Sequence, residues 1–458
     1  MDLKGQLPIL RLVVGERLIS VLAISVIILH ALSNFFPSMQ TAFPDTLSTL
    51  NSYNQTLSSY VAPLLIGFMT ISAMVLTPMS SIGAIKNNRR VLYPALMVSV
   101  GMLLSTLSHG NWDEKTIFTS ANFLLVNIWL FVVISQKNWR VSEYVIRCIL
   151  FSWVVLPLAV MVLPKFQDYV NFFPCTLHGF SDSRLIYGFW AGALFIVLAA
   201  KPLFLGRRVG LASYIAISLA WLCMLLSQTR TSVLALMVVI CIVLISTWPK
   251  WPSLSKSVKW GAILLIASAL GMPAWNQTCA NASTKNMESE LSQKVSSLNG
   301  STINMESELS QKISELISVR PGLFVAKDPM RVAILDKYTE HIERNWLWGY
   351  GRMYTVDIPE KGVAKTQAHN VLIQIWANYG VLTLLAFAAW ITVLYFTLQD
   401  VRSKMLLLYL VVYSLFQPLL GGSSNIFSPQ PMLVFMIIFM LNAQVNSINP
   451  KNGEKIVI

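Results

Sequence analysis

Apolar runs about as long as a membrane is thick fill most of this chain, and short polar connections separate them. About 20 apolar residues carry a helix across the hydrocarbon core. The pattern therefore predicts an all-α polytopic membrane protein with about 12 transmembrane helices. The spans lie near residues 18–36, 60–77, 91–108, 117–135, 144–163, 185–200, 211–227, 231–248, 258–274, 371–398, 404–420 and 430–446. The run near 185–200 is the shortest of them. Between 275 and 370 the apolar rhythm stops, and one large loop of mostly helical structure is expected there. The chain so divides into helices one to nine at 1–274, the loop at 275–370, and helices ten to twelve with a tail at 371–458.

Inside the loop a nine-residue string, Asn286 to Lys294, recurs as Asn304 to Lys312, eighteen residues later. Eighteen residues are five turns at 3.6 per turn, so both copies present the same face. Met287, Leu291, Val295 and Leu298 form an apolar stripe that Met305, Leu309, Ile313 and Leu316 repeat. The expectation is a helix or helical hairpin acting as a structural lid or spacer. A second amphipathic helix is predicted over Arg331–Arg344, and the glycines of Asn345-Trp-Leu-Trp-Gly-Tyr-Gly-Arg352 end it.

Composition agrees with the pattern. Charged residues are 12% of the chain, about half the share of a soluble domain. Mean hydropathy is +0.60. The formal charge of +13 does not point to nucleic acid, because in such a chain Lys and Arg gather in cytoplasmic loops. With the N-terminus inside, the inner loops and tail hold seventeen Lys and Arg, and the short outer loops hold four. The four are Lys115, Lys165, Arg184 and Arg230. The same orientation puts the 275–370 loop outside.

Candidate chemistry follows from that sidedness. Arg230 lies in Ser227-Gln-Thr-Arg-Thr-Ser232, a polar knot between two apolar runs. An Arg at bilayer depth costs ~2.5–3.5 kcal/mol on insertion scales, so it has a partner or a function, or it snorkels to headgroups. Arg184 stands at the start of the neighbouring helix pair and is expected near Arg230; its alternative is a surface pair with Asp182. Two outward cations suit a lipid-linked phosphate or pyrophosphate, which the planar guanidinium fork binds bidentately. All five histidines, His30, His109, His178, His341 and His369, fall on the outer side. His369 stands where the chain re-enters the membrane, at a helix N-terminus that favours the neutral imidazole a general base needs. No His, Cys and carboxylate cluster has metal spacing, so neither a metal nor another cofactor is expected. Cys175 and Cys279 share the outer side, where a disulfide is permitted.

These residues resemble a known family. Arg184 with Leu185 and Gly188, Gln228-Thr-Arg-Thr-Ser232, and Gly349-Tyr-Gly351 followed by His369-Asn370, Gln374 and Gly380 resemble three motifs, in order, of the bacterial O-antigen ligase and polymerase superfamily of integral-membrane glycosyltransferases. The resemblance covers roughly 180–390. It implies transfer of O-antigen from undecaprenyl pyrophosphate to lipid A–core, without metal, at the periplasmic face of the inner membrane. It implies Arg184 and Arg230 on the pyrophosphate and His369 as base. Asn370, Arg320, Arg331, Arg344 and Arg352 become substrate-binding candidates, the arginines for lipid A–core phosphates or the leaving group. The neighbouring readings are an O-antigen polymerase joining lipid-linked repeat units and a protein O-oligosaccharyltransferase. A flippase or transporter is disfavoured, because the polar residues gather at one face rather than in charged or broken helices at mid-membrane.

Overall fold

The structure is a computed structural model. It describes residues 21–26, 28, 61–108, 114–135, 140–161, 171–173, 176–179, 184–204, 210–246, 329–351, 354–358, 363–417, 419 and 429–448. The 286–312 repeat, the span near 258–274, Arg320, Arg352, Asp182, Cys175 and Cys279 lie outside these residues.

The described chain is mostly helical. After a helical stretch at 21–26 come α1 (Ala62–Leu76), α2 (Pro78–Asn87), α3 (Arg89–Ser108), α4 (Glu114–Trp129, running into a π-helical turn at Leu130–Ile134) and α5 (Arg140–Met161). Next are α6 (Arg184–Phe204), α7 (Leu211–Leu226), α8 (Arg230–Ser246), α9 (Pro329–Arg344), α10 (Val371–Thr397), α11 (Val401–Ser414) and α12 (Pro429–Ile448). The all-α expectation needs a small correction. Two antiparallel hairpins are present, β1 (Asn171–Phe173) with β2 (Thr176–Gly179), and β3 (Val356–Ile358) with β4 (Val363–Thr366). Among the described residues three helices are long and apolar enough to cross a membrane: Arg89–Ser108, Thr116–Ile134 and Val371–Thr397. The bent α1–α2 pair passes the same test, and five shorter apolar helices accompany them.

Packing joins helices that are distant in sequence as well as neighbours. α10 lies along α3, and α3 against α4; α6 packs on α7 and α11, α8 on α11, and α9 on α10. Trp129, Trp190 and Trp390 are fully buried in the apolar core. Several interior polar groups find partners within it. Trp390 Nε1 donates to Asn127 Oδ1 at 2.9 Å, and the Ser99 and Ser120 hydroxyls each donate to the other's carbonyl. Such bonds are expected where no water is available.

Three features depart from the sequence pattern. The connection that carries Lys86, Arg89 and Arg90 is read from polarity as a loop, but α2, bent 112° from α1, takes in Lys86, and Arg89 and Arg90 open α3. Pro78 lacks an N–H and starts the new helix, while the Ala73 carbonyl at the bend accepts from Thr77 N at 2.9 Å and from the Thr77 and Ser81 hydroxyls as well. Arg402, which the loop charges assign to the cytoplasmic surface, is fully buried. Its Nη2 lies 2.7 Å from Asp400 Oδ2. Finally, 371–398 reads as one unbroken span, whereas Gly380 interrupts α10 with φ 81° and ψ 172°.

Candidate functional site

Arg184 is the first residue of α6, and Arg230 is the first residue of α8. The expectation that they approach is met at the level of backbone. Thr229 Oγ1, immediately before Arg230, donates to the Arg184 carbonyl at 2.8 Å. Gly188, one turn along α6, faces the same knot. A Cβ there would lie 2.6 Å from both Ser227 Oγ and Thr229 Oγ1, so only glycine lets the helix sit this close. Ser227 Oγ donates to the Met224 carbonyl at 2.6 Å and fixes the end of α7. Gln228 between them is forced to φ +50°.

From the far side α11 pins α6. Tyr413 donates to the Leu185 carbonyl at 2.9 Å, and Tyr409 donates to that of Phe189 at 3.3 Å. Gly192 makes room for the Tyr409 hydroxyl. The Arg184 side chain is exposed and that of Arg230 half-buried. Two helix N-termini meet here, each with a positive dipole end, and each carries a guanidinium. The arrangement is suited to a polyanion.

His369 and Asn370 form a second cluster at the head of α10. Asn370 is extended and caps the helix, its Oδ1 accepting from Leu372 N at 2.9 Å and Ile373 N at 3.3 Å. Its carbonyl-type oxygen is thereby occupied in capping, a structural role that the substrate-binding expectation for Asn370 did not include. His369 precedes it with φ +52°. Its ring Nδ1 is buried. Gln374, one turn on, is fixed on both ends. Its Oε1 accepts from Ala368 N, and its Nε2 donates to the Tyr354 carbonyl and to Asn378 Oδ1, each at 2.9 Å.

The Gly349-Tyr-Gly351 segment docks on the break in α10. Stopping the helix at Gly380 leaves the Ala377 and Asn378 carbonyls without helical donors, and Tyr350 N and Gly351 N supply them at 2.7 and 2.8 Å. Val381 N returns a bond to the Trp346 carbonyl at 3.0 Å. Gly380 and Gly349 both have positive φ and press on backbone, a Cβ on Gly380 falling 1.9 Å from Leu347 O. The glycines of the last motif are therefore one contact. Among the described residues, Gln228 and His369 are the non-glycine positions with positive φ. Each costs on the order of 1–3 kcal/mol, and such strain gathers at functional sites.

The amphipathic helix expected at 331–344 is α9, with Ile334, Tyr338 and Ile342 buried. Arg344 lies on its exposed face, 2.6 Å from Glu340, which also pairs with Lys337 at 3.0 Å. Those cations, the Lys337 hydrogen bond first, hold the Glu340 carboxyl below its ordinary range. Arg331 is in the first turn of α9. The sequence reading passed over His341. Its Nδ1 lies 2.5 Å from the Tyr354 hydroxyl, and Tyr354 stacks on Tyr350 at 4.6 Å. Burial pushes the Tyr354 hydroxyl up to about 12, so it is neutral at ordinary pH. The nine-residue step from His341 to Tyr350 gives no periodic signal, because the chain turns through the glycine segment between them.

Residues 215–388 match the family model described as O-Antigen ligase. The match covers less than half of the chain and takes in Arg230, Gly349, Gly351, His369 and Asn370; Arg184 precedes it. No curated protein matches the chain. Over that segment the chain is similar to the O-antigen ligase family, which takes in O-antigen ligases and related polymerases.

Proposed function

We propose that this protein is an O-antigen ligase of the bacterial inner membrane. It moves the O-antigen polysaccharide from undecaprenyl pyrophosphate to lipid A–core on the periplasmic side. The observation that carries the reading is the Thr229–Arg184 hydrogen bond, which sets two arginine-bearing helix N-termini side by side.

In the proposed reaction the acceptor hydroxyl oxygen bonds to the anomeric carbon of the donor sugar. The carbon–oxygen bond to pyrophosphate breaks, and its electron pair leaves on undecaprenyl pyrophosphate. Arg184 and Arg230 hold that group and offset the charge it gains, an effect that is strong where water is excluded. His369 takes the hydroxyl proton. The Asn370 cap fixes the start of the helix and so the backbone that carries the ring. Arg320, Arg331, Arg344 and Arg352 are assigned to the outer phosphates of the acceptor or to the leaving group. The protein's twelve-span plan and the outer placement of 275–370 belong to the same proposal.

Lipopolysaccharide from a deletion strain, run on a gel, tests the reading. Free lipid A–core beside full-length polysaccharide on the carrier is expected, with the ladder restored by the intact gene. Core capped with a single repeat unit would identify a polymerase instead, and a glycosylated protein band lost in the deletion would identify a protein O-oligosaccharyltransferase.

A further inference from the structure

One turn from Asn370, a cleft of about 500 Å³ opens between α9 and the start of α10, lined by Thr339, Ile342, Glu343, Trp346, Ile373 and Trp376. Its volume falls in the range of ligand sites, and its make-up is that of one: an apolar wall with few polar groups. Two indoles stand in it. Trp346 is 54% exposed, too much for a core residue. Trp376 is held in place by its Nε1, which donates to the Trp346 carbonyl at 2.9 Å. The polar groups are acceptors. The Thr339 hydroxyl donates to the Leu335 carbonyl and keeps its lone pairs open. Glu343 is exposed, and among the described residues neither a hydrogen bond nor an ion pair occupies it, in contrast with Glu340 one turn earlier.

We infer that this cleft holds a segment of the donor's O-antigen polysaccharide, a reading that rests on the proposed ligase function. A pyranose presents apolar C–H faces and a rim of hydroxyl donors, and the cleft offers indole faces and acceptor oxygens to match. Glu343 decides between occupants. A carboxylate accepts strong hydrogen bonds from sugar hydroxyls. Set against acyl chains it would be desolvated with nothing in return, and against acceptor phosphates it would repel. The cleft therefore selects an uncharged glycan segment, and its place beside Asn370 lets it hold the polysaccharide while the reducing end meets His369.

The test is saturation-transfer NMR on the full-length protein in detergent, with O-polysaccharide released from its lipid by mild acid as the probe. Sugar ring protons should receive saturation. Trp346→Ala should weaken binding about tenfold or more, with Trp346→Phe recovering much of it, and Glu343→Gln should weaken it by a smaller factor. Equal binding by Trp346→Ala and the parent protein overturns the inference, and so does stronger binding of free core oligosaccharide. Quenching of Trp346 fluorescence by spin-labelled acyl chains, gauged by its loss in Trp346→Phe, would assign the cleft to lipid and overturn it too. If Trp346→Ala does not fold, Glu343→Gln and Trp346→Phe carry the test. Glycan binding without transfer would sink the ligase reading alone, and transfer without glycan binding would sink the cleft alone.

Discussion

Gly188→Ala tests the geometry of the arginine junction without touching a charge. An alanine Cβ at this position would lie 2.6 Å from Ser227 Oγ and Thr229 Oγ1 and 2.7 Å from Thr229 Cβ. Carbon atoms rest at about 3.5–4.0 Å, so α6 and the Ser227–Thr229 turn must part by roughly 1 Å. Thr229 Cβ is attached to the backbone and cannot swing away as the end of a long side chain can. Overpacking of this kind costs ~1–3 kcal/mol. The Thr229–Arg184 hydrogen bond, worth ~1 kcal/mol, stretches with it. A 1 Å misplacement lowers a positioned reaction by about 10²-fold. Transfer of O-antigen to lipid A–core by the purified variant should fall by about that factor, and thermal unfolding in detergent should shift down modestly. Gly83→Ala on α2 is the matched control. Nothing lies within 4 Å of its added carbon and Ala is the better helix former, so stability should hold or rise by up to ~1 kcal/mol and transfer should not change. Wild-type transfer and stability in Gly188→Ala would refute the idea that the close approach of α6 builds the site.

The remaining predictions concern the base, the break and the membrane sidedness. His369→Asn keeps a residue that tolerates positive φ but removes the imidazole, so transfer should fall ~10²–10⁴-fold with unfolding temperature nearly unchanged; full activity would exclude His369 as base. Gly380→Ala places a carbon 1.9 Å from Leu347 O at φ +81° and should strip the Tyr350, Gly351 and Val381 backbone bonds, lowering stability by ~3–5 kcal/mol; a normal unfolding temperature would show that the segment docks elsewhere. A cysteine placed in 286–312 should react with a membrane-impermeant thiol reagent added from the periplasm, and one at Lys86 or Arg208 should not; the reverse labelling would overturn the topology.

Much of this arrangement is legible in the sequence, for local reasons. Apolar length marks α3, α4 and α10, and the apolar period of 331–344 marks α9, because both signals lie within one element. The meeting of Arg184 and Arg230 follows from the short hairpin α6–α7–α8. What the pattern hides depends on distant partners. A glycine at 380 is tolerated in a helix, and its break becomes visible only with Leu347, Tyr350 and Gly351 docked on it. That broken helix also weakens the sequence argument against a transporter, although here the freed carbonyls are satisfied by a loop rather than turned toward an ion. Arg402 counts as a loop cation until Asp400 and the Asn442 side chain, which accepts from Gln399 N and Asp400 N, close around it. The Asn370 cap is readable from residue type, but His341 and the cleft below Trp346 arise from the fold of the glycine segment.

The claim at the centre is that the arginine junction drives transfer from a pyrophosphate-linked donor. It is tested most directly in proteoliposomes holding the purified protein, undecaprenyl-pyrophosphate-linked O-antigen and lipid A–core, with ligated product measured on a gel. The wild type should form product and continue to do so with EDTA present. Arg230→Ala should form none, and Arg230→Lys, which keeps the charge without the bidentate fork, should recover only part. Undiminished product from Arg230→Ala, or none from the wild type with both substrates present, would contradict the account.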